Sequence, residues 1–323
     1  MSESGDYTPG PWSDSSSSSS SYNYSNFKDA TSVYDNKRKD DAIAPKKSTS
    51  LSALAPPFIE TKSESPVPII IDCTGSMGVW TSKIFGKLPF LDRGSEFYLG
   101  PTVEFAFTAC GDANSDKQPV QIQKFGRGLE LADNLKNLYI EGNGGGQMHE
   151  TYELHALYMA RNCKIPNATT PICIFIADEA PYTSVNRDQA AEYAKVDLPR
   201  NLPTSDVFRE LKEKFSVYVI LKRYDGSERE IRAIYDAWES LVGADHIAHL
   251  DDPNRVVDVI FGIFAKETGK IKDFVKEIEG RQTSAQVKTV YTALRTIHGT
   301  GATNPTATPK GASKLLPPKP SKP

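Results

Sequence analysis

The sequence predicts an α/β domain built on a doubly wound, mainly parallel sheet with helices on both faces, flanked by disordered tails. Three observations lead there. Strand-like runs alternate with amphipathic stretches of helical period, the rhythm of successive βαβ units. Two of those runs, VPIIID (67–72) and PICIFIAD (171–178), are apolar almost throughout, as strands become when helices cover both their faces. The apolar residues, 38% of the chain, are thin at both ends and dense between them, so one folded unit accounts for them.

Residues 1–65 carry a seven-serine run (Ser15–Ser21), scattered charge and little apolar periodicity. Such a segment cannot bury enough surface to offset its ordering entropy, and disorder is expected. Its aromatic groups, Tyr7 and Trp12 with Tyr22, Tyr24 and Phe27, read as linker or as contacts to the domain or a partner. The domain begins at Pro66. Residues 67–72 form the first strand, and MGVWTSKIFGKLPFL (77–91) forms a helix. Strands follow at 103–112 and 120–125, then helices at 129–140 and 150–163 by their apolar spacing. The run 171–178 is a central strand. Thr204 or Ser205 caps a helix over 205–215, which leads into a strand at 216–222. A helix over 228–242, a last strand over 246–250 and a helix over 253–267 complete the unit at 268; Pro253 stands in the first turn of that helix. Residues 269–298 read as one or two appended helices, charged on one side. The Pro-, Lys- and Thr-rich remainder, 299–323, favours solvated polyproline II and is expected to be disordered.

Composition narrows the function classes. Net charge is −3 with both signs interspersed, so no global field points to nucleic acid or an anionic membrane. No apolar run reaches the roughly 18 residues of a membrane span, and the polar, serine-rich start does not read as a secretion signal. Cys73, Cys110, Cys163 and Cys173 include no CxxC pair, which argues against zinc and for buried free thiols in a reducing compartment, the cytoplasm. Oligomeric state is not legible.

Chemistry gathers where the strands end. In parallel α/β sheets ligands bind beyond the carboxyl ends of the strands. Asp72 closes the first strand, and Thr74 and Ser76 follow at alternate positions of the next loop. A carboxylate and two alcohols are hard oxygen ligands of low total charge, suited to Mg²⁺ or Mn²⁺ rather than zinc. They cannot complete an octahedron alone. Glu150 and Thr151 open a helix just after Gly144, Gly145 and Gly146, whose backbone could approach the site closely. Asp178 and Glu179 end the apolar central strand on the same rim. Asp112, ending the second strand beside Gly111, is either an acceptor for metal-bound water or a turn residue.

The run D-C-T-G-S-M after a hydrophobic strand resembles the D-x-[ST]-x-S signature of the von Willebrand factor type A domain, over about residues 66–268. That resemblance implies a metal-ion-dependent adhesion site. Asp72, Thr74 and Ser76 are its first loop, Thr151 its second and Asp178 its third. Gln147 to Glu150 separate the glycines from Thr151, so Glu150 stands as its alternative or companion; Glu179 and Asp112 are further candidates. The family leaves one metal position open for an Asp or Glu of a protein partner, and no catalysis is implied.

Other readings were weighed on the same residues. Asp72 and Thr74 could simply cap the following helix. DCTGS is also similar to the aspartyl-phosphate motif of haloacid dehalogenase-type phosphotransferases, in which Asp72 would be a Mg²⁺-dependent nucleophile and Asp178 with Glu179 the metal acids. That family needs a lysine near a later strand, and no clear lysine motif precedes Asp178. GNGGGQ lacks the Gly-Lys-[ST] ending of a phosphate loop. His149 and His155 lack the i,i+4 spacing of a zinc pair and read as surface or partly buried residues, and Trp80 and Trp238 read as helix-face core.

Overall fold

A computed structural model describes residues 55–139 and 148–298. The expectations for residues 1–54, for Gly144, Gly145 and Gly146, and for the tail from 299 lie outside the described residues. Six strands form the central sheet: β1 (Pro66–Asp72), β2 (Glu104–Cys110), β3 (Val120–Ile122), β4 (Ile172–Ala177), β5 (Ser216–Lys222) and β6 (Ile247–Leu250). Their spatial order is β6-β5-β4-β1-β2-β3, parallel throughout except for β3, which runs antiparallel to β2 at the edge. From β1 the chain moves outward one way to β2 and later the other way through β4 and β5. The crevice between β1 and β4 is therefore a topological switch point, where connections diverge and side chains from two loops can meet.

Eleven helices are described: α1 (Trp80–Lys87), α2 (Leu91–Leu99), α3 (Leu129–Lys136), α4 (Tyr152–Asn162), α5 (Arg187–Glu192), α6 (Thr204–Lys212), α7 (Glu228–Val242), α8 (Val256–Glu267), α9 (Ile271–Arg281), α10 (Ser284–Ala293) and α11 (Arg295–His298). Successive strand residues face opposite sides of a sheet, and the core divides by that parity. Ile69, Ile71, Phe105, Phe107, Ile174 and Ile176 share one buried cluster with residues of α1, α2 and α8. Ile70, Ala106, Cys173 and Phe175 share another with residues of α4, α6 and α7. Every residue of β1 and of β4 is buried, as their continuous apolar character requires. All four cysteines are buried free thiols. Among the described residues no helix is long and apolar enough to cross a membrane.

The structure departs from the sequence expectations at several places. The helix expected over 77–91 is broken: Gly75–Met77 and Leu88–Phe90 are 3₁₀ turns around α1, and α2 resumes after them. Pro89 lacks an N–H and crowds the carbonyl four residues back, so an α-helix cannot run through it. Gly94 on α2 lies against Phe261 of α8, where a Cβ would sit 2.3 Å from the ring. Thr204 is the first residue of α6, and its hydroxyl donates to Tyr182 O (2.5 Å) instead of capping. α5 carried too little apolar pattern to be foreseen. Order begins before Pro66: Ala55 and Ile59 are buried, Ile59–Glu60 pairs with Cys163–Lys164, and Ser65 Oγ donates to Leu99 O (2.8 Å). Two small apolar side chains suffice to dock a strand edge that composition alone placed in the tail. Beyond 269 there are three helices, and Phe274, Ile278, Val290 and Ile297 belong to the first core cluster.

Candidate metal centre

The site starts from the end of β1. Asp72 is fully buried, and its Oδ1 accepts from Thr74 N (2.8 Å) and Thr74 Oγ1 (2.6 Å). Thr74 Oγ1 lies 3.1 Å from Ser76 Oγ, which donates to Asp178 Oδ1 (3.0 Å) at the end of β4. Asp72, Thr74, Ser76 and Asp178 thus form one chain of oxygens across the switch-point crevice, between residues 102 apart in sequence. Asp72 takes the backbone N–H of Thr74, as the capping alternative expects, whereas Thr74 makes no side-chain cap of the 3₁₀ turn it precedes. The two aspartates and Thr74 are buried while Gly75 and Ser76 are exposed, so the chain of oxygens meets solvent at Ser76.

Two further residues complete the constellation, and sequence reasoning missed both. Tyr152, in the first turn of α4, donates its phenol to Asp72 Oδ2 at 2.5 Å. Lys222, the last residue of β5, donates to Asp178 Oδ2 (2.7 Å) and to Ser76 O (3.0 Å). Strand register explains the lysine: Leu221 pairs with Ala177, so one step further sets Lys222 beside Asp178. The rule that located Asp72 and Asp178, a polar residue closing an apolar strand, picks out Lys222 as well.

The second loop differs from expectation. Thr151 is buried, but its hydroxyl accepts from Ala113 N (2.6 Å) on the loop after β2 rather than joining Asp72 or Ser76. Asp112 behaves as a turn residue. Its Oδ1 accepts from Asn114 N (3.0 Å) and Tyr182 OH (3.1 Å), and its Oδ2 from Ser115 Oγ (3.2 Å). Glu150 and Glu179 are both buried, within hydrogen-bonding reach of each other, and the Oε2 of each accepts from no donor. Their neighbours His149–Glu150 and Ala180–Pro181 pair in parallel, which holds the two acids together. His149 is half-buried and stacks on Tyr182, whereas His155 is fully buried between Thr151 O and Ala109 O (3.2 Å each), deeper than its expected place. Trp238 is core as expected, its indole donating to Glu179 O (2.8 Å).

Burial and the neighbouring acids perturb several of these groups. Burial, then the charge of Asp178, pushes the Asp72 carboxyl up to about 7 against the donors from Thr74 and Tyr152. Burial followed by the charges of Asp178 and Asp72 lifts Glu179 to about 8. Burial, then Asp72 and Glu179, lifts Glu150 to about 11. The phenol of Tyr152 rises too, chiefly through burial. Among the described residues, no three His, Cys, Asp or Glu side chains are grouped to hold a metal by themselves. Any cation here must therefore draw on the hydroxyls, and an oxygen-only set with alcohols suits a hard ion.

Comparison with known proteins adds little to this geometry. No family model matches the chain, and no curated protein does. Among solved structures it is similar to the pilus adhesin SpaC from Lactobacillus rhamnosus GG: one crystal form at 12% identity and TM-score 0.44, over 66% of this chain and 30% of that one. The open conformation of the same adhesin matches at 13% identity and TM-score 0.46, over 68% of this chain and 31% of that one. The chain spans under a third of that adhesin's length.

Proposed function

We propose that the chain is a doubly wound module of von Willebrand factor A type, one that holds a single Mg²⁺ or Mn²⁺ in the β1–β4 crevice. Through that ion it binds an Asp or Glu of a protein partner. The observation that carries this reading is the continuous oxygen chain Asp72–Thr74–Ser76–Asp178 across the crevice. Its donors are hard, and the Oε2 atoms of the buried acids Glu150 and Glu179 beside it meet no donor. Asp72, Thr74, Ser76 and Asp178 would hold the ion, with Glu150 the second-loop candidate and Thr151 joining only by giving up Ala113 N. A bound divalent cation would supply the positive charge that attracts a partner's carboxylate.

The chain's own residues do the rest. Thr74 and Tyr152 fix the Asp72 carboxylate, so no ordering cost for it remains at binding. Gly75 and Ser76 leave the hydroxyl side open to an incoming group, and Val79, 57% exposed on the same loop, offers apolar contact beside it. The aspartyl-phosphate reading asks for a lysine near a later strand, and Lys222 at the end of β5 meets that requirement; turnover of a phosphomonoester that Asp72→Asn abolishes would favour it over adhesion. Four free buried cysteines fit a cytoplasmic setting.

Capture from native lysate tests the function. The wild type in Mg²⁺ is expected to retain a protein that both EDTA and Asp72→Ala release, and a chain lacking residues 1–54 and 299–323 should retain it equally. Capture that survives EDTA and vanishes with the tails would contradict the reading.

A further inference from the structure

Resting on that reading, we infer that Lys222 is the site's built-in counter-cation: its ammonium occupies Asp178 and the Ser76 carbonyl, and a divalent ion gains Asp178 only by displacing it. Three observations support this. First, Lys222 Nζ bridges the first and third loops of the oxygen chain, 2.7 Å from Asp178 Oδ2 and 3.0 Å from Ser76 O. Second, this is an enclosed pair and not a surface one. The Asp178 side chain is fully buried and that of Lys222 is 13% exposed, with the ammonium 5.8 Å from the centre of the Trp80 ring. A buried carboxylate left without its partner carries a large desolvation cost, so Asp178 holds one cation or another. Third, Lys222 is placed by strand register and cannot drift far, yet its stem is long and rotatable. It can swing outward toward solvent while remaining at the rim.

The arrangement has a regulatory consequence. A tethered monovalent charge competes with the ion for Asp178 and repels it at short range, so metal affinity is set low by design of the rim. The wild type would then load under high divalent concentration, or when an acidic partner residue arrives to compensate the added charge. Lys222 also ties the Ser76 backbone to Asp178.

Calorimetric titration with MgCl₂ and with MnCl₂ tests this on the full-length chain, comparing wild type, Lys222→Met and Lys222→Arg. Folding of each is checked by circular dichroism, and its melting temperature is measured in EDTA. Lys222→Met is expected to bind metal roughly tenfold more tightly or better, because a +1 charge no longer opposes a +2 charge a few ångströms away. It should melt lower than wild type in EDTA and regain that loss when metal is added. Lys222→Arg, which keeps the charge, should bind metal like wild type. Binding by Lys222→Met alone, with none by wild type, would also support the inference in its strongest form. Equal affinity in wild type and Lys222→Met overturns the inference while leaving the metal site standing. Equal tightening in Lys222→Met and Lys222→Arg also overturns it, since charge would then not be the cause. Absence of binding in all three removes the metal site itself, and the displacement falls with it.

Discussion

Asp258→Ala is expected to destabilise the fold by about 3–5 kcal/mol, the cost of stranding buried charge. Asp258 on α8 faces Arg281 Nη1 of α9 at 2.7 Å and Arg255 Nη1 at 3.3 Å, and the three side chains are all but inaccessible. Gln282 Nε2 also donates to Asp258 Oδ2 (3.3 Å), and Arg255 Nη1 donates to Gln282 Oε1 (2.9 Å). Removing the aspartate takes one acid from each buried guanidinium and leaves Arg255 to Asp252 (3.7 Å) and Arg281 to Glu277. Urea denaturation checks the figure through the midpoint at unchanged slope. A double variant, Asp258→Leu with Arg281→Met, should not recover the loss, because Arg255 stays buried without Asp258 and buried Glu277 loses Arg281. A loss under 1 kcal/mol for Asp258→Ala would mean that the helices after 268 pack without this clamp.

Glu150→Gln has the opposite sign. In EDTA at pH 8 it is expected to stabilise the protein, on the order of 2–4 kcal/mol by proton linkage. The sign follows from Glu150 being raised from an ordinary 4.5 to about 11. The native state keeps a proton that the unfolded chain releases. Stability from this group is therefore full below about 4.5 and falls steadily as pH rises toward 11. Asp72, raised to about 7, and Glu179, raised to about 8, add losses of the same sign over narrower windows. His155, pushed down to about 4 by burial, imposes the reverse trend below its ordinary 6.5. Comparing wild type with Glu150→Gln at pH 5 and pH 8 isolates the glutamate. The gap between them should widen with pH; a constant gap would mean that the acid is paired by something other than its neighbours. The same substitution should weaken metal binding, so the acidic rim trades stability for a site.

Much of this site was legible before folding was known, for a definite reason. A buried parallel strand is a run of apolar residues, and the first polar residue after it must lie on the carboxyl rim. That logic located Asp72 and Asp178 and, through alternation, Thr74 and Ser76, and the structure brings those four together. It did not locate Tyr152, because an aromatic residue opening an amphipathic helix reads as core until a three-dimensional neighbour claims its hydroxyl. Nor could it orient Thr151, whose hydroxyl serves Ala113 N. Lys222 was overlooked although the same strand-end rule applies, since the search was for acids and alcohols. For the fold, the strand sequence was readable from apolar runs. The helix break follows from Pro89 itself and was open to local reading, whereas the docking of Ala55 and Ile59 depends on the strand pair Cys163–Lys164, which no local pattern carries.

The central claim is that Asp72 and its neighbours hold one hard divalent ion. Mn²⁺ uptake followed by electron paramagnetic resonance tests it most directly, because the free aqueous ion gives a signal that disappears on binding. Wild-type protein should remove one equivalent of Mn²⁺, excess Mg²⁺ should return it to solution, and Asp72→Ala, folded by circular dichroism, should remove none. Equal uptake by wild type and Asp72→Ala would contradict the account.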